Sequence, residues 1–344
     1  MKNLIIAIDQ STSATKAMLF NERCEMLRRV NVTHEQYYPR TGWVEHDVEE
    51  IYRNVLKSIA ELIEEETADN MYSLAITNQR ETVVVWNKHT GKPLYNAVVW
   101  QCMRGADICN DLKNRGYSEF VQARSGLLLD PYFSASGVKW ILDNVEGARQ
   151  AADNGDLLMG TIDTWLIWKL TDGKRHVTDY TNASRTLLLN IHTMQWDNDL
   201  LELFTIPKIM MPELLPCDVV FGKTTVGGLF KSPIAIAGVL GDSHGALTGQ
   251  MCFEEGLGKV TYGTGSSVMV NIGEKVATAP RGLVTSIGFA ALGKVFYAFE
   301  GNIHCTGGTI KWLEQRLQMS VRPMKRRTGC YCGRQWRGVC CTGF

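Results

Sequence analysis

The chain has 344 residues, 45% hydrophobic and 21% charged. That balance suits two or three globular domains and excludes a disordered, collagenous or coiled-coil protein. The 36 basic and 36 acidic residues cancel overall, but every acidic residue lies at or before Glu314 and seven basic ones follow it, so the body of the chain is net acidic. No apolar run approaches the ~18 residues of a membrane span, and the opening apolar segment stops at Asp9, too short for the core of a secretion signal. These features lead us to expect a cytoplasmic enzyme with no membrane or nucleic-acid partner. The ten cysteines suggest neither disulfides nor zinc: Cys24, Cys102, Cys109, Cys217, Cys252 and Cys305 are scattered, and Cys330, Cys332, Cys340 and Cys341 fit no usual ligand spacing.

Residues 4–8 and 17–20 read as two strands joined by a polar loop, residues 9–16, with four hydroxyl side chains and one cation. From Asp47 onward, Ile51, Val55, Ile59, Leu62 and Ile63 share one helical face. Residues 74–77 and 82–86 read as strands flanking Asn78-Gln79-Arg80-Glu81. Residues 161–170 read as a buried segment, and 196–204 as a helix ended by Pro207. A continuous apolar run, 234–240, delivers Gly241-Asp242-Ser243-His244 to a helical stretch over 245–253. Residues 260–270 then repeat the opening design of strand, hydroxyl- and glycine-rich loop, strand. Strands interleaved with helices predict an α/β fold. The repeated loop predicts a duplication with a boundary near residues 250–258 and the two loops facing each other across a cleft.

Small and hydroxyl side chains in a loop between strands let backbone N–H and O–H groups approach phosphate oxygens. Asp9 is placed to hold Mg²⁺ directly or through water, and Lys16 to add a point charge. Each loop alone also reads as an ordinary polar hairpin, and neither is a Walker A motif. Asp242 reads as an N-cap or as a general base for an attacking hydroxyl. Arg80 and Glu81 offer a donor and an acceptor together, as a polyol requires, or form a solvated pair. Trp100 and Tyr132 read as core or rim residues, or together as an aromatic wall for a carbon chain. His244 has no Cys or His at ligand spacing and reads as structural or supporting.

The strings IAIDQSTSATKAMLF, AITNQRETVVVWNKHTGKPLYNAVVWQC, GTIDTWLIWKLTDGKRHVTDYTNASRTLLLNIHTMQWD and KVTYGTGSS resemble, in order, the glycerol kinases of the FGGY carbohydrate kinase family. The resemblance implies an actin-like (ribonuclease-H-like) ATPase fold in two domains, and transfer of the ATP γ-phosphoryl group to a terminal hydroxyl. It implies Arg80, Glu81, Trp100, Tyr132, Asp242 and Ser243 at the polyol, with Asp242 as the base. It also implies Asp9 at Mg²⁺, Thr12, Ser13, Lys16, Thr264 and Gly307 near the nucleotide, and a homo-oligomer for an intact member. Three positions depart from the family pattern. Ser243 replaces the usual Gln, which enlarges the pocket or removes a substrate hydrogen bond. Lys16 replaces Arg, and Gly137 stands where the signature prefers Lys. A kinase for another polyol or sugar, such as erythritol or xylulose, and a non-catalytic actin-like binding module are the alternatives.

The resemblance implies an N-terminal domain over residues 1–250, the start of an ATP-binding domain over 251–318, and a tail over 319–344 outside the family. Suitable synonymous codons for residues 331–344, read one nucleotide later, spell Thr-Val-Glu-Asp-Asn-Gly-Gly-Val-Cys-Ala-Val-Pro-Ala, which resembles a family segment. The tail is therefore expected to be a frameshift product and the chain a truncated kinase, with little or no activity as it stands. Sequencing the gene tests this expectation.

Overall fold

The structure, a computed structural model, describes residues 3–63, 70–262, 266–303 and 306–318. Two sheets dominate it, and their strands are numbered here in chain order. The first has six strands: β1 (Leu4–Gln10), β2 (Ala14–Phe20), β3 (Met26–Thr33), β4 (Met71–Asn78), β5 (Val220–Thr224) and β6 (Ile234–Gly241), in the order β5-β6-β4-β1-β2-β3. β1 and β6 both run parallel to β4, and the other pairs are antiparallel. Parallel strands need both faces covered, and the apolar runs of β1 and β4 meet that need by burying Ile6, Ile8, Leu74 and Ile76. Helix α1 (Val48–Leu62) packs on β2 and β3 through Ile51, Val55, Ile59 and Leu62. Asp47 caps it, accepting from Glu49 N at 2.8 Å. Helix α2 (Ile162–Leu170) is buried almost all round and lies against β4 and β5.

The second sheet comprises β7 (Gly258–Tyr262), β8 (Ser266–Asn271), β9 (Val284–Ala291) and β10 (Lys294–Ile303), in the order β7-β8-β10-β9 and antiparallel throughout. It docks on the first lobe through β9: Thr285 N donates to Gly126 O at 2.9 Å, and Cys217 N donates to Ala290 O at 2.8 Å. The hairpin β7–β8 repeats the design of β1–β2. The parallel strands of the first sheet have no counterpart in the second among the described residues.

Several element boundaries differ from the sequence reading. The polar loop over 9–16 shrinks to Ser11, Thr12 and Ser13, because the ladder continues through Asp9↔Lys16 and Gln10↔Thr15. Residues 161–170 divide into the end of a strand (Leu157–Thr161) and helix α2. Residues 196–204 begin with a strand (Gln195–Trp196), after which Asp197 caps the helix Asn198–Leu203. The helix expected over 245–253 is α3 (Asp242–Gly249): extended backbone at Gly241 starts it three residues earlier, and Met251, at φ +58°, follows its end.

Candidate functional site

The register of the first sheet sets the site. Gln10 and Gly241 both pair with Asn78, so β1, β4 and β6 end level at their carboxyl ends. The residues that follow each strand, Thr12, Arg80-Glu81 and Asp242, therefore leave the sheet at one place. In open α/β sheets that is where a crevice forms. The loop after β4 is held tightly: Asn78 and Asn182 exchange amide hydrogen bonds at 2.9 and 3.1 Å, and Gln79 N donates to Gln10 O at 2.7 Å. Within this loop Glu81 sits at φ +62°, a strained backbone for a non-glycine residue, kept by its surroundings.

The second sheet supplies the opposite wall. Side chains alternate between sheet faces with period two, so the pairings Thr261↔Ser267↔Asn302 and Lys259↔Met269↔Glu300 put Lys259, Thr261, Ser267, Glu300 and Asn302 on one face. Thr261, Ser267 and Asn302 line a cavity of about 140 Å³ together with Thr12, Arg80, Glu81, Trp100, Tyr132, Asp242 and Ser243. Drug-sized pockets run to ~300–1,000 Å³, so this cavity suits a small polar molecule. A larger groove of about 720 Å³ lies elsewhere, beside Asp111, Tyr117 and Glu202.

Asp242 is the first residue of α3, and the cap position before it is Gly241, with no side-chain cap bond. The N-cap reading therefore fails. Among the described residues the carboxylate accepts a hydrogen bond from the adjacent Ser243 N, at 2.6 Å, and 43% of its side chain stays accessible from the cavity. Crowding by protein on its other sides raises its pKa, opposed by the Arg80 charge. A Cβ at Gly241 would lie 2.7 Å from Arg80 Cδ and Cγ, so a larger residue there would displace the Arg80 side chain. Trp100 and Tyr132 meet edge to face at 5.6 Å, and Trp100 Nε1 donates to Thr12 Oγ1 at 2.9 Å. The aromatic wall is thus joined to the first loop.

Arg80 and Glu81 are a buried part of a larger charge cluster, which overturns the solvated-pair reading. Arg80 donates NH1 to Glu300 Oε2 at 2.9 Å and NH2 to Glu300 Oε1 at 2.7 Å. Its Nε stands 3.2 Å from Asp242 Oδ1. Arg185 Nε donates to Glu81 Oε1 at 2.6 Å. Burial raises the Glu81 pKa against the pull of Arg80 and Arg185. For Glu300 burial acts in the same direction, but Arg185 and Arg80 together outweigh it and hold the carboxyl well below its usual range. Burial, reinforced by Arg80, brings Lys259 down to about 8. His244 is buried against this cluster, and burial with the Arg80 charge keeps its ring neutral.

Of the remaining expected residues, Asp9, Ser13, Lys16 and Gly307 do not line the cavity. Asp9 and Lys16 face each other across β1–β2 and pair at 2.8 Å. Ser13 is exposed at the turn. Gly307 begins helix α4 (Gly307–Gln315), beyond the Ser266–Thr306 hydroxyl contact of 2.9 Å. Thr264, Cys305 and the tail cysteines fall outside the described residues. Sequence reading missed Glu300, Arg185 and Lys259. The available signal was a lone charge inside an otherwise apolar or β-rich segment, which is costly unless paired.

The model of the N-terminal domain of the FGGY family of carbohydrate kinases matches residues 4–249. The chain belongs to that family. Glycerol kinases of Bacillus cereus (strain AH187) and Bacillus anthracis are each 51% identical over 321 residues, 93% of this chain and 65% of theirs. This FGGY chain thus spans just under two thirds of the length of these relatives. Among solved structures, glycerol kinase of Plasmodium falciparum with ADP superposes with a TM-score of 0.85 at 37% identity, covering 92% of this chain and 64% of that one. Gluconate kinase of Lactobacillus acidophilus, 20% identical, shares the fold, with a TM-score of 0.81 over 94% and 64% of the two chains. The fold is the actin-like ATPase fold of the FGGY kinases. Among the described residues no helix is long and apolar enough to cross a membrane.

Proposed function

We propose that the protein represented by this chain transfers the γ-phosphoryl group of ATP to a terminal hydroxyl of glycerol, in the cytoplasm. The observation that carries the reading is the Asp242 carboxylate. It opens into a small cavity walled by Arg80, Glu81, Trp100 and Tyr132, with hydroxyls of both hairpins at its rim. Arg80 and Glu81 bind the polyol hydroxyls, and the two aromatic rings cover its carbon chain. Asp242 accepts the proton of the attacking hydroxyl, whose oxygen bonds to the γ-phosphorus as the bond to the bridging oxygen breaks and ADP leaves.

Asp9 is the residue that would hold Mg²⁺. No cluster of three or more metal-ligating side chains occurs among the described residues. A single carboxylate suits Mg²⁺, which takes one or two carboxylates and completes its shell with phosphate oxygens and water. When bound, the ion offsets phosphate charge. Thr12, Ser13, Lys16, Thr264 and Gly307 are assigned to the nucleotide side. Residues 1–250 are assigned to the polyol domain, 251–318 to the beginning of the nucleotide domain, and an intact member is expected to form a homo-oligomer. Ser243, shorter than the usual Gln, keeps open a second reading in which a larger polyol such as erythritol or xylulose is the acceptor.

A coupled ADP-release assay over a polyol panel, on the chain and on a version extended to the length of its relatives, tests the reading. Glycerol turnover by the extended version should fall at least ~10²-fold in D242N, within the range assigned to general base catalysis. Unchanged turnover in D242N, or no turnover of any polyol, refutes it.

A further inference from the structure

We propose that Glu300 and Arg185 are positioning residues: Glu300 keeps the two terminal nitrogens of Arg80, so that Asp242 meets only the Arg80 Nε, and Arg185 holds the Glu81 carboxylate at the cavity wall. The proposal rests on the reading of Asp242 and Glu81 given above and extends it to two residues of the buried cluster.

The geometry sets up a competition for Arg80. Its two terminal nitrogens form a fork on both oxygens of Glu300, the strongest arrangement open to an arginine and a carboxylate. Its Nε makes no hydrogen bond although Asp242 Oδ1 is only 3.2 Å away. A small rotation would therefore transfer the fork from Glu300 to Asp242 and occupy the oxygens needed to accept a substrate proton. Glu300 is fixed in turn by Ser267 Oγ at 3.1 Å and Arg185 NH1 at 2.8 Å. Arg185 has little freedom, because its side chain is fully buried, its guanidinium lies 5.1 Å from the Phe133 ring centre, and its Nε bonds Glu81. That bond engages Oε1 of Glu81, the oxygen also nearer Arg80 Nε.

The cluster holds three formal cations, Arg80, Arg185 and Lys259, and three formal anions, Glu81, Glu300 and Asp242. Removing the Glu300 charge leaves one cation in excess beside Asp242, and a buried cation seeks the nearest carboxylate. Glu300 lies on β10 of the second sheet, whereas Arg80, Glu81 and Arg185 belong to the first lobe. The fork on Glu300 is therefore also a tie across the cleft.

The experiment uses the chain itself, with ¹³C carboxyl labelling of aspartate and D242N to identify the Asp242 signal. The groups acting on Asp242 are Arg80 and Lys259, which favour its ionised form, and Asp9, which opposes it. In E300Q the Asp242 titration should move down by about one unit or more, as the freed terminal N–H groups of Arg80 add hydrogen bonds to the ionised carboxylate that Nε already faces. Glycerol affinity, read by calorimetry, should fall at least ~10-fold in E300Q and in R185K. Glu300→Asp keeps the charge with a shorter reach. It should move the titration in the same direction by less, and it serves if E300Q does not fold. A merely structural role would lower the thermal midpoint and leave the titration in place. An unmoved Asp242 titration in a folded variant overturns the proposal. Absence of glycerol binding by the unsubstituted chain instead overturns the functional reading, while the titration still decides whether Glu300 restrains Arg80.

Discussion

His176 donates from Nε2 to Met159 O at 2.8 Å and meets the Trp86 ring edge-on. Burial brings its pKa down to about 4, while burial and the neighbouring His34 bring His46 down to about 3. Both folded values lie below the ordinary value of 6.5, so the folded state prefers the neutral rings. Their contribution to stability is complete above about pH 6.5 and is lost as pH falls from there towards 4, at about 1.4 kcal/mol per unit for each group. Urea unfolding at pH 7, 6 and 5 should show this decline. His176→Gln, which keeps an N–H for Met159 O, should flatten it by roughly one proton's worth; equal slopes in the two proteins would contradict the assignment. Side-chain identity left a structural alternative open at Arg80, Glu81, Trp100, Tyr132 and Asp242, and the family resemblance was what grouped them. Side-chain identity was not enough to identify Glu300 as the partner of Arg80, because 220 residues separate them in the chain.

The helix Ser118–Ser125 ends at Gly126, which takes a left-handed φ of +74° and meets β9 of the second sheet. A Cβ there would lie 2.3 Å from Thr285 O, a backbone atom that cannot yield cheaply. The same glycine accepts the Thr285 N–H at 2.9 Å, so G126A strikes one of the seams between lobes. The substitution should destabilise the chain by about 1–3 kcal/mol, lowering the thermal midpoint by roughly 2–4 °C per kcal/mol. An unchanged midpoint would show that the seam can relax. Apolar periodicity made α1 and β6 readable because each element carries its own pattern. The ends of α3 and of the first loop were misread because ladder pairing and a glycine cap, rather than composition, decide where each stops.

Across the whole molecule the two faces of the second sheet contrast. One face carries Lys259, Thr261, Ser267, Glu300 and Asn302 towards the site. On the other, Tyr262 is 72% exposed and Val268 is 44% exposed. An apolar sheet face open to water binds apolar probes and invites association. The folded chain should therefore enhance the fluorescence of an anilinonaphthalene dye, and Y262E with V268E should remove most of that signal. Equal fluorescence in both proteins would show that the face is covered.

The alternation of strands and helices, the paired hydroxyl-rich hairpins and the family motifs are local patterns, so the α/β class and the residues around Asp242 were legible before any coordinates. Which charges meet across the cleft was not legible. A salt bridge between Arg80 and Glu300 depends on the register of two separate sheets and on how β9 seats against the first lobe, and no short stretch of chain encodes either. Burial then determines the chemistry: it converts an adjacent Arg-Glu dipeptide into part of a closed cluster of six charges, with Asp242 at its open edge.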